Sequence, residues 1–129
     1  MTELTILALY GLLIIVTILL NVLTAMAQVG VKTLAGPRDG MPPLTGVAGR
    51  TARTLDNSVV AMVLFAPAVL MLAQQDISTA DTLLAAQVFL VARVAFLPVY
   101  ILGLPIPFLR TLVWIAGFLS TAYLYLAAL

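Results

Sequence analysis

Four apolar stretches occupy most of this chain, and each is long enough to cross a lipid bilayer. A spanning helix needs about 20 predominantly apolar residues. Because 64% of the 129 residues are hydrophobic and only 9% are charged, four crossings leave no room for a second domain. The sequence therefore predicts an all-α integral membrane protein, a four-transmembrane-helix bundle that forms a single domain over residues 1–129.

The boundaries of the apolar stretches predict where the helices lie and what connects them. The segment from Gly30 to Gly49 contains five glycines and three prolines and therefore predicts a long irregular connection. Unpaired backbone cannot face lipid, so this connection should lie outside the hydrocarbon, as a binding loop, a lid or a solvated loop. The predicted helices are at about 4–27, 49–74, 81–102 and 108–128, and the predicted loop is at about 30–48.

Several residues predict local features of these helices. Pro67 should kink the second helix, because its ring removes one backbone hydrogen bond. Ser78 and Asp81 resemble a capping box that opens the third helix. Tyr123 and Tyr125, near the end of the fourth helix, are interpreted as aromatic anchors at the membrane interface.

Charged residues divide between the two ends of the predicted bundle. Threading four crossings puts the long loop and the turn near 103–107 at one end, and both termini at the other. The positive-inside rule then predicts that the loop at 30–48 is cytoplasmic and both termini are periplasmic, in a bacterial inner membrane. The basic end carries Lys32, Arg38, Arg50, Arg53 and Arg110, and the opposite end carries Glu3, Asp76 and Asp81.

The composition excludes several classes of function. The six basic residues, in a chain of net charge +1, are too few and too scattered to follow a nucleic-acid backbone. The chain has no cysteine and no histidine, so metal, thiol and imidazole chemistry by its own side chains is not expected. We therefore expect no metal and no nucleic acid, and we expect membrane lipid as a partner.

A cluster of polar residues lies where the long loop meets the second helix. Arg50, Arg53 and Asn57 are spaced three and four residues apart and therefore share one helix face. Arg93 lies well inside the third helix, where a guanidinium costs about 2.5–3.5 kcal/mol on insertion scales. With Tyr100 and Arg110, these residues share one end of the bundle. Asp56 is the one obvious counter-ion, so the cluster predicts a pocket for a multiply charged anion.

Structural roles compete with this interpretation for several of these residues. Arg93 could pair with Asp56 or Tyr100 between helices, and Arg50 and Arg53 could set the membrane topology or bind lipid phosphates. On the first helix, Asn21 and Gln28 lie on one face, where they would form interhelical hydrogen bonds or contact a ligand. Arg110 opens the fourth helix, where the helix dipole disfavours a cation, so a structural role explains it less well.

Three segments carry a resemblance to a known family. They are residues 49–67, 92–100 and 103–111, which read GRTARTLDNSVVAMVLFAP, ARVAFLPVY and GLPIPFLRT. Together they resemble the MAPEG family, the membrane-associated proteins of eicosanoid and glutathione metabolism, and its bacterial branch in particular. The loop at 36–39, GPRD, which includes Arg38, is also similar. The resemblance spans essentially the whole chain.

The resemblance implies a homotrimer of four-helix subunits that binds glutathione between neighbouring subunits near the cytoplasmic face. It implies that Arg53, Asn57, Arg93 and Tyr100 hold glutathione and that Arg110 stabilises the thiolate. Arg50, on the helix face of Arg53 and Asn57, is expected to hold the peptide with them, and the lipophilic substrate is expected to arrive through the lipid. Glutathione would be the co-substrate of a transferase or peroxidase acting on lipophilic electrophiles or lipid hydroperoxides.

Two positions depart from the family pattern. Val60 replaces the usual glutamate, so the glutathione ammonium would lose its carboxylate partner, for which Asp56 could substitute. Phe96 stands where many members have tyrosine. These departures keep two alternatives open, namely a non-catalytic membrane scaffold or accessory subunit, and a protein that binds anionic lipid.

Overall fold

A computed structural model describes all residues from 1 to 129, and every regular element in it is a helix. Four long helices are apolar enough to cross a membrane, and a single short helix follows the first of them. The predicted four-helix membrane fold is therefore confirmed. The elements are α1 (Glu3–Val29), α2 (Val31–Ala35), α3 (Gly46–Gln74), α4 (Ala80–Ile101) and α5 (Leu109–Ala127).

The four long helices pack as a bundle in which α1 lies mainly against α3, and α4 lies mainly against α5. Further contacts of α1 with α4, and of α3 with both α4 and α5, close the bundle. We call the end that holds the α1–α3 connection and the α4–α5 turn the basic end. The opposite end, with both termini and the α3–α4 turn, is the acidic end.

Three aromatic rings form the centre of the core. Phe65 of α3 and Phe89 of α4 stack with ring centroids 3.7 Å apart, and Tyr10 of α1 meets Phe89 edge-on at 4.8 Å. The Tyr10 hydroxyl donates a hydrogen bond of 2.8 Å to the carbonyl oxygen of Ser58. Aromatic pairs contribute about 0.5–1.5 kcal/mol beyond area burial, so this cluster fixes α1, α3 and α4 together.

Pro67 lies inside the continuous helix α3. A proline in a helix removes one backbone donor and disturbs the carbonyls of the preceding turn. One of those carbonyls, on Leu64, accepts a hydrogen bond of 2.8 Å from the hydroxyl of Tyr125 on α5. Tyr125, interpreted from the sequence as an interfacial anchor, thus also joins two helices through its hydroxyl.

The acidic end is held together by the carboxylate of Glu3, which is only 5% exposed. Glu3 accepts hydrogen bonds from the hydroxyls of Thr82, at 2.6 Å, and Ser78, at 3.0 Å. Ser78 therefore does not cap α4 as predicted; the capping box of α4 is formed by Thr79 and Thr82. Because Glu3 lies at the N-terminal ends of both α1 and α4, its charge also complements two helix dipoles.

The connection at the basic end differs from the irregular loop predicted for residues 30–48. It contains the short helix α2, and α3 begins at Gly46 rather than near residue 49. The side chain of Gln28 fixes this connection, since its amide donates to the Pro43 carbonyl at 3.0 Å and accepts from the Thr45 N–H at 2.9 Å. Gln28 thus hydrogen-bonds loop backbone, a local constraint that helical periodicity does not reveal.

Replacing Glu3 with alanine should destabilise the protein by about 1.5–3 kcal/mol, because the hydroxyls of Ser78 and Thr82 lose a charged acceptor. Thermal unfolding of the purified protein in detergent measures the loss. Asp81→Ala is the matched control: Asp81 is an exposed acid at the same end, where only about 0.3–1 kcal/mol of dipole interaction is at stake. Equal losses in the two variants would contradict the role given to Glu3.

Replacing Gly49 with alanine should displace the connection that precedes α3. A Cβ at this position would lie 2.7 Å from the backbone carbonyl oxygen of Leu44, so one of the two segments must move. We expect faster hydrogen exchange over residues 41–46 and a destabilisation of about 1–3 kcal/mol. In the control Gly11→Ala, the nearest atom is a methionine methyl 4.0 Å away, and no such effect is expected.

Candidate functional site

A cavity opens at the basic end of the bundle, between the start of α3, the end of α4 and the turn that leads into α5. We call it the basic cavity. Its volume is about 490 Å³, within the range of roughly 300–1,000 Å³ found for small-molecule sites. No aspartate or glutamate lines it. The lining residues are Arg50, Arg53, Val99, Tyr100, Gly103, Leu104, Ile106, Pro107, Phe108, Arg110 and Thr111.

Arg50 forms one wall of the basic cavity and also supports the end of α4. Its Nε donates a hydrogen bond of 2.8 Å to the carbonyl oxygen of Ile101, in the last turn of that helix. A cation is favoured there, because the helix dipole leaves partial negative charge on these carbonyls. Gly103, with φ of +62°, turns the chain beside Arg50, and a Cβ there would lie 3.3 Å from Arg50 Nε. The Nε atom of Arg50 is therefore engaged in a structural hydrogen bond.

Arg53, Tyr100 and Arg110 form a connected group in the same cavity. Arg53 Nε donates a hydrogen bond of 3.1 Å to the Tyr100 hydroxyl oxygen. The Arg110 guanidinium carbon lies 5.3 Å from the centre of the Tyr100 ring, a cation–π arrangement. Three different helices thus contribute one residue each, and two guanidiniums flank a single phenol.

Arg93 lies deeper, where it is only 3% exposed. Its Nη2 donates to Asn57 Oδ1 at 2.7 Å and makes a longer contact of 3.4 Å with the Ser58 hydroxyl, and its guanidinium lies 4.8 Å from the Phe96 ring centre. Its Nε has no partner. The pairing of Arg93 with Asp56 or Tyr100 considered from the sequence does not occur, and Arg93 instead donates to neutral acceptors on α3.

Two smaller cavities continue from the basic cavity along α5. The middle cavity, of about 230 Å³, shares Tyr100, Arg110 and Thr111 with the basic cavity. The apolar cavity, of about 50 Å³, shares Asn57 and Trp114 with the middle one. The three therefore follow one another from a charged end to an apolar interior. Phe96 completes the middle cavity, and the apolar one is lined also by Val60, Ala61, Leu64, Phe89, Arg93, Gly117, Phe118 and Thr121.

The structure gathers some of the residues named from the sequence and separates others. Arg50, Arg53, Asn57, Arg93, Tyr100 and Arg110 each line at least one of the three cavities. Four residues named as further candidates line none of them, and they are Asp56, Asn21, Gln28 and Arg38. Gln28 binds the connection before α3, and Arg38 Nε donates to the Leu34 carbonyl at 2.9 Å, at the end of α2. Asn21 Oδ1 is buried without a partner.

Thr111 and Trp114 each line two cavities, and neither was identified from the sequence. Trp114 follows Arg110 by four residues and so lies on the same face of α5, a spacing that could have identified it. It stacks on Phe118 with ring centroids 5.3 Å apart. Ser58 was also missed, since its contact with Arg93 depends on how α3 and α4 pack.

The four apolar helices and the arginines at one end place this protein in a general class. It is an integral membrane protein with a basic cavity beside its apolar interior. Comparison with models of known families matches residues 6–129 to the MAPEG family. The chain therefore belongs to the MAPEG family, which generally uses glutathione and includes both enzymes and non-catalytic members. Comparisons with curated proteins and with solved structures gave no match.

Proposed function

We propose that this protein is a glutathione-dependent transferase or peroxidase that acts on lipophilic electrophiles or lipid hydroperoxides. The observation that carries the proposal is the succession of cavities, in which a basic cavity suited to a charged peptide continues into an apolar one. Family membership supports the choice of glutathione as the charged partner.

The charge of the basic cavity supports an anionic ligand. Glutathione carries two carboxylates and one ammonium at neutral pH, and Arg50, Arg53 and Arg110 line the cavity without an acidic neighbour. Guanidinium groups bind carboxylates through paired, charge-assisted hydrogen bonds. In the proposed complex, Arg50 and Arg53 bind the carboxylates, Tyr100 contacts the peptide where the basic cavity joins the middle one, and Asn57 contacts it from the middle cavity. Arg93 acts from behind, through its hydrogen bond to Asn57.

Arg110 is the proposed catalytic residue. It lines both the basic and the middle cavity, so its guanidinium lies between the peptide site and the apolar interior. A cation beside a thiol favours the thiolate, which is the reactive nucleophile. We therefore assign Arg110 the role of stabilising the glutathione thiolate.

The second substrate would reach this thiolate from the lipid. The apolar cavity is lined by the exposed aromatic residues Trp114 and Phe118 on α5 and by the exposed Val60 on α3. These side chains lie on helices apolar enough to span a membrane, so the cavity would border the hydrocarbon in the proposed orientation. A hydrophobic electrophile dissolved in the bilayer could approach it without crossing an aqueous phase.

We propose further that the protein is a homotrimer in a bacterial inner membrane. The cavities lie at the surface of a single subunit, where a neighbouring subunit could complete them. The arginine-rich end, with residues 30–45, would be cytoplasmic and both termini periplasmic, as the positive-inside rule indicates.

One observation favours a second candidate, a non-catalytic member or a protein that binds anionic lipid. Val60, at the position where the family usually has glutamate, is 59% exposed and lines the apolar cavity, and Asp56 lines none of the three cavities. The proposed glutathione ammonium therefore has no carboxylate partner in this subunit. Lipid headgroups with phosphate would satisfy the same arginines without needing one.

Calorimetric titration of glutathione into the detergent-purified protein should show binding that Arg53→Ala weakens about ten- to a hundredfold. The physical reason is the loss of a charge-assisted hydrogen bond, about 1.5–3 kcal/mol. Arg38→Ala is the matched control, since it removes an equal charge at the same end but outside the cavities, and it should bind like the unchanged protein.

No heat of binding at millimolar glutathione would contradict the proposed function. Mass spectrometry of lipid that co-purifies with the protein would then separate the two remaining candidates. An anionic lipid present in the unchanged protein and lost from Arg53→Ala would support the lipid-binding function, and its absence would support a scaffold.

If the protein is a glutathione-dependent enzyme, the substitution Val60→Glu should tighten glutathione binding roughly ten- to a hundredfold. The new carboxylate would pair with the ligand ammonium, and an unpaired buried polar group costs about 1–3 kcal/mol. The measurement is the same titration. Val60→Gln controls for size and polarity without the charge. Equal tightening by Val60→Glu and Val60→Gln would refute the hypothesis that the ligand ammonium lacks a carboxylate partner.

A further inference from the structure

The direction of one hydrogen bond determines where the Tyr100 hydroxyl sends its own proton. Arg53 Nε carries a single hydrogen and cannot accept, so in its 3.1 Å contact it is the donor and Tyr100 Oη is the acceptor. The phenol proton must therefore point away from Arg53. No protein group accepts it, because the contact with Arg53 is the one hydrogen bond that Tyr100 makes through its side chain.

Tyr100 lies where that free proton can be used. Its side chain lines both the basic and the middle cavity, as Arg110 does, so it is placed between the peptide site and the path of the second substrate. Phe96, one turn earlier with its ring 5.4 Å away, offers no hydroxyl. Thr111 lines the same two cavities, but an aliphatic hydroxyl is a far weaker acid than a phenol.

Two guanidiniums lie beside the phenol of Tyr100. The Arg53 N–H is bonded directly to the oxygen that would become negative, and the Arg110 guanidinium lies over the ring at 5.3 Å. Fixed cations aimed at the atom where charge develops stabilise the transition state without reorganisation. The arrangement suits a general acid better than a mere packing residue.

We propose that Tyr100 is the general acid that protonates an oxygen leaving group. This role rests on the proposed function, and it identifies hydroperoxides as the class of substrate that the site reduces. The glutathione thiolate sulfur bonds to the terminal oxygen of the hydroperoxide as the O–O bond breaks. The departing alkoxide takes the Tyr100 proton, giving an alcohol, glutathione sulfenic acid and a tyrosinate. The tyrosinate regains a proton from solvent, and a second glutathione converts the sulfenic acid to the disulfide and water.

The proposal distinguishes two classes of substrate. An oxygen leaving group departs as a strongly basic alkoxide and gains from a proton donor, a contribution of about 10²–10⁴-fold in rate. A chloride leaving group needs no proton, although it is displaced by the same thiolate. The proton of Tyr100 should therefore accelerate the reduction of a hydroperoxide but not the displacement of chloride.

The test compares Tyr100→Phe with the unchanged protein on two substrates at saturating glutathione, cumene hydroperoxide and 1-chloro-2,4-dinitrobenzene. We expect kcat for the hydroperoxide to fall at least about a hundredfold more than kcat for chloride displacement, and the KM for glutathione to rise equally in both reactions, because Tyr100 also contacts the peptide. Tyr123→Phe, an exposed tyrosine at the acidic end, should change neither reaction. Arg110→Ala should lose both, because both need the thiolate.

Each other result overturns the proposal in a different way. Equal losses in both reactions of Tyr100→Phe would show that the phenol only positions Arg53, and unchanged hydroperoxide turnover would show that another group supplies the proton. If the unchanged protein displaces chloride but turns over no hydroperoxide, the general-acid role of Tyr100 is refuted and the proposed transferase activity is retained. No turnover of either substrate would refute the proposed function itself.

Discussion

The hydrogen bond from Arg93 to Asn57 is the contact on which the arrangement around the cavities depends. A guanidinium this deep in a membrane bundle is tolerated only where other protein groups satisfy it. Here the partners are neutral, namely an amide oxygen on α3 and, at longer distance, the hydroxyl of Ser58, with the Phe96 ring alongside. Because Arg93 can only donate, it holds the oxygen of Asn57 and leaves the Asn57 NH₂ group for another partner. Asn57 can therefore act as a hydrogen-bond donor toward the middle cavity.

The two ends of the bundle differ in how fully protein groups satisfy their charged side chains. At the acidic end, the carboxylate of Glu3 is fully engaged by hydroxyls of the α3–α4 turn and α4, and Gln75 reaches the Ala128 carbonyl at 3.1 Å. At the basic end, guanidiniums outnumber their protein acceptors, and several N–H groups face a cavity. Polar groups that lack protein partners are costly in a membrane protein, so their concentration at one end is what identifies the site.

The aromatic core of Tyr10, Phe65 and Phe89 lies in the bundle interior and joins three of the helices.

Much of the fold was predictable because it depends on local and additive properties of the chain. Apolar length alone gives four crossings, and glycine and proline content locates the long connection. The predictions that proved wrong or incomplete concern contacts between distant residues. Ser78 binds Glu3 instead of capping α4, Arg93 donates to Asn57 rather than pairing with Asp56, and the Tyr125 hydroxyl donates to the Leu64 carbonyl on α3. Each depends on which helix faces lie together, and helical periodicity gives the faces but not their pairing.

The sequence by itself determined that this is a four-helix membrane protein of the MAPEG type and which arginines share one end, because hydropathy, spacing and motif are properties of the chain. Only the tertiary structure decided how those arginines divide their roles. Arg50 supports the end of α4, Arg93 orients Asn57, and Arg53 and Arg110 flank Tyr100. These roles follow from atoms brought within a few ångströms by packing between helices. Trp114 and Thr111 entered the site for the same reason, since α5 packs along α4 in the one orientation that places them beside Arg110 and Tyr100.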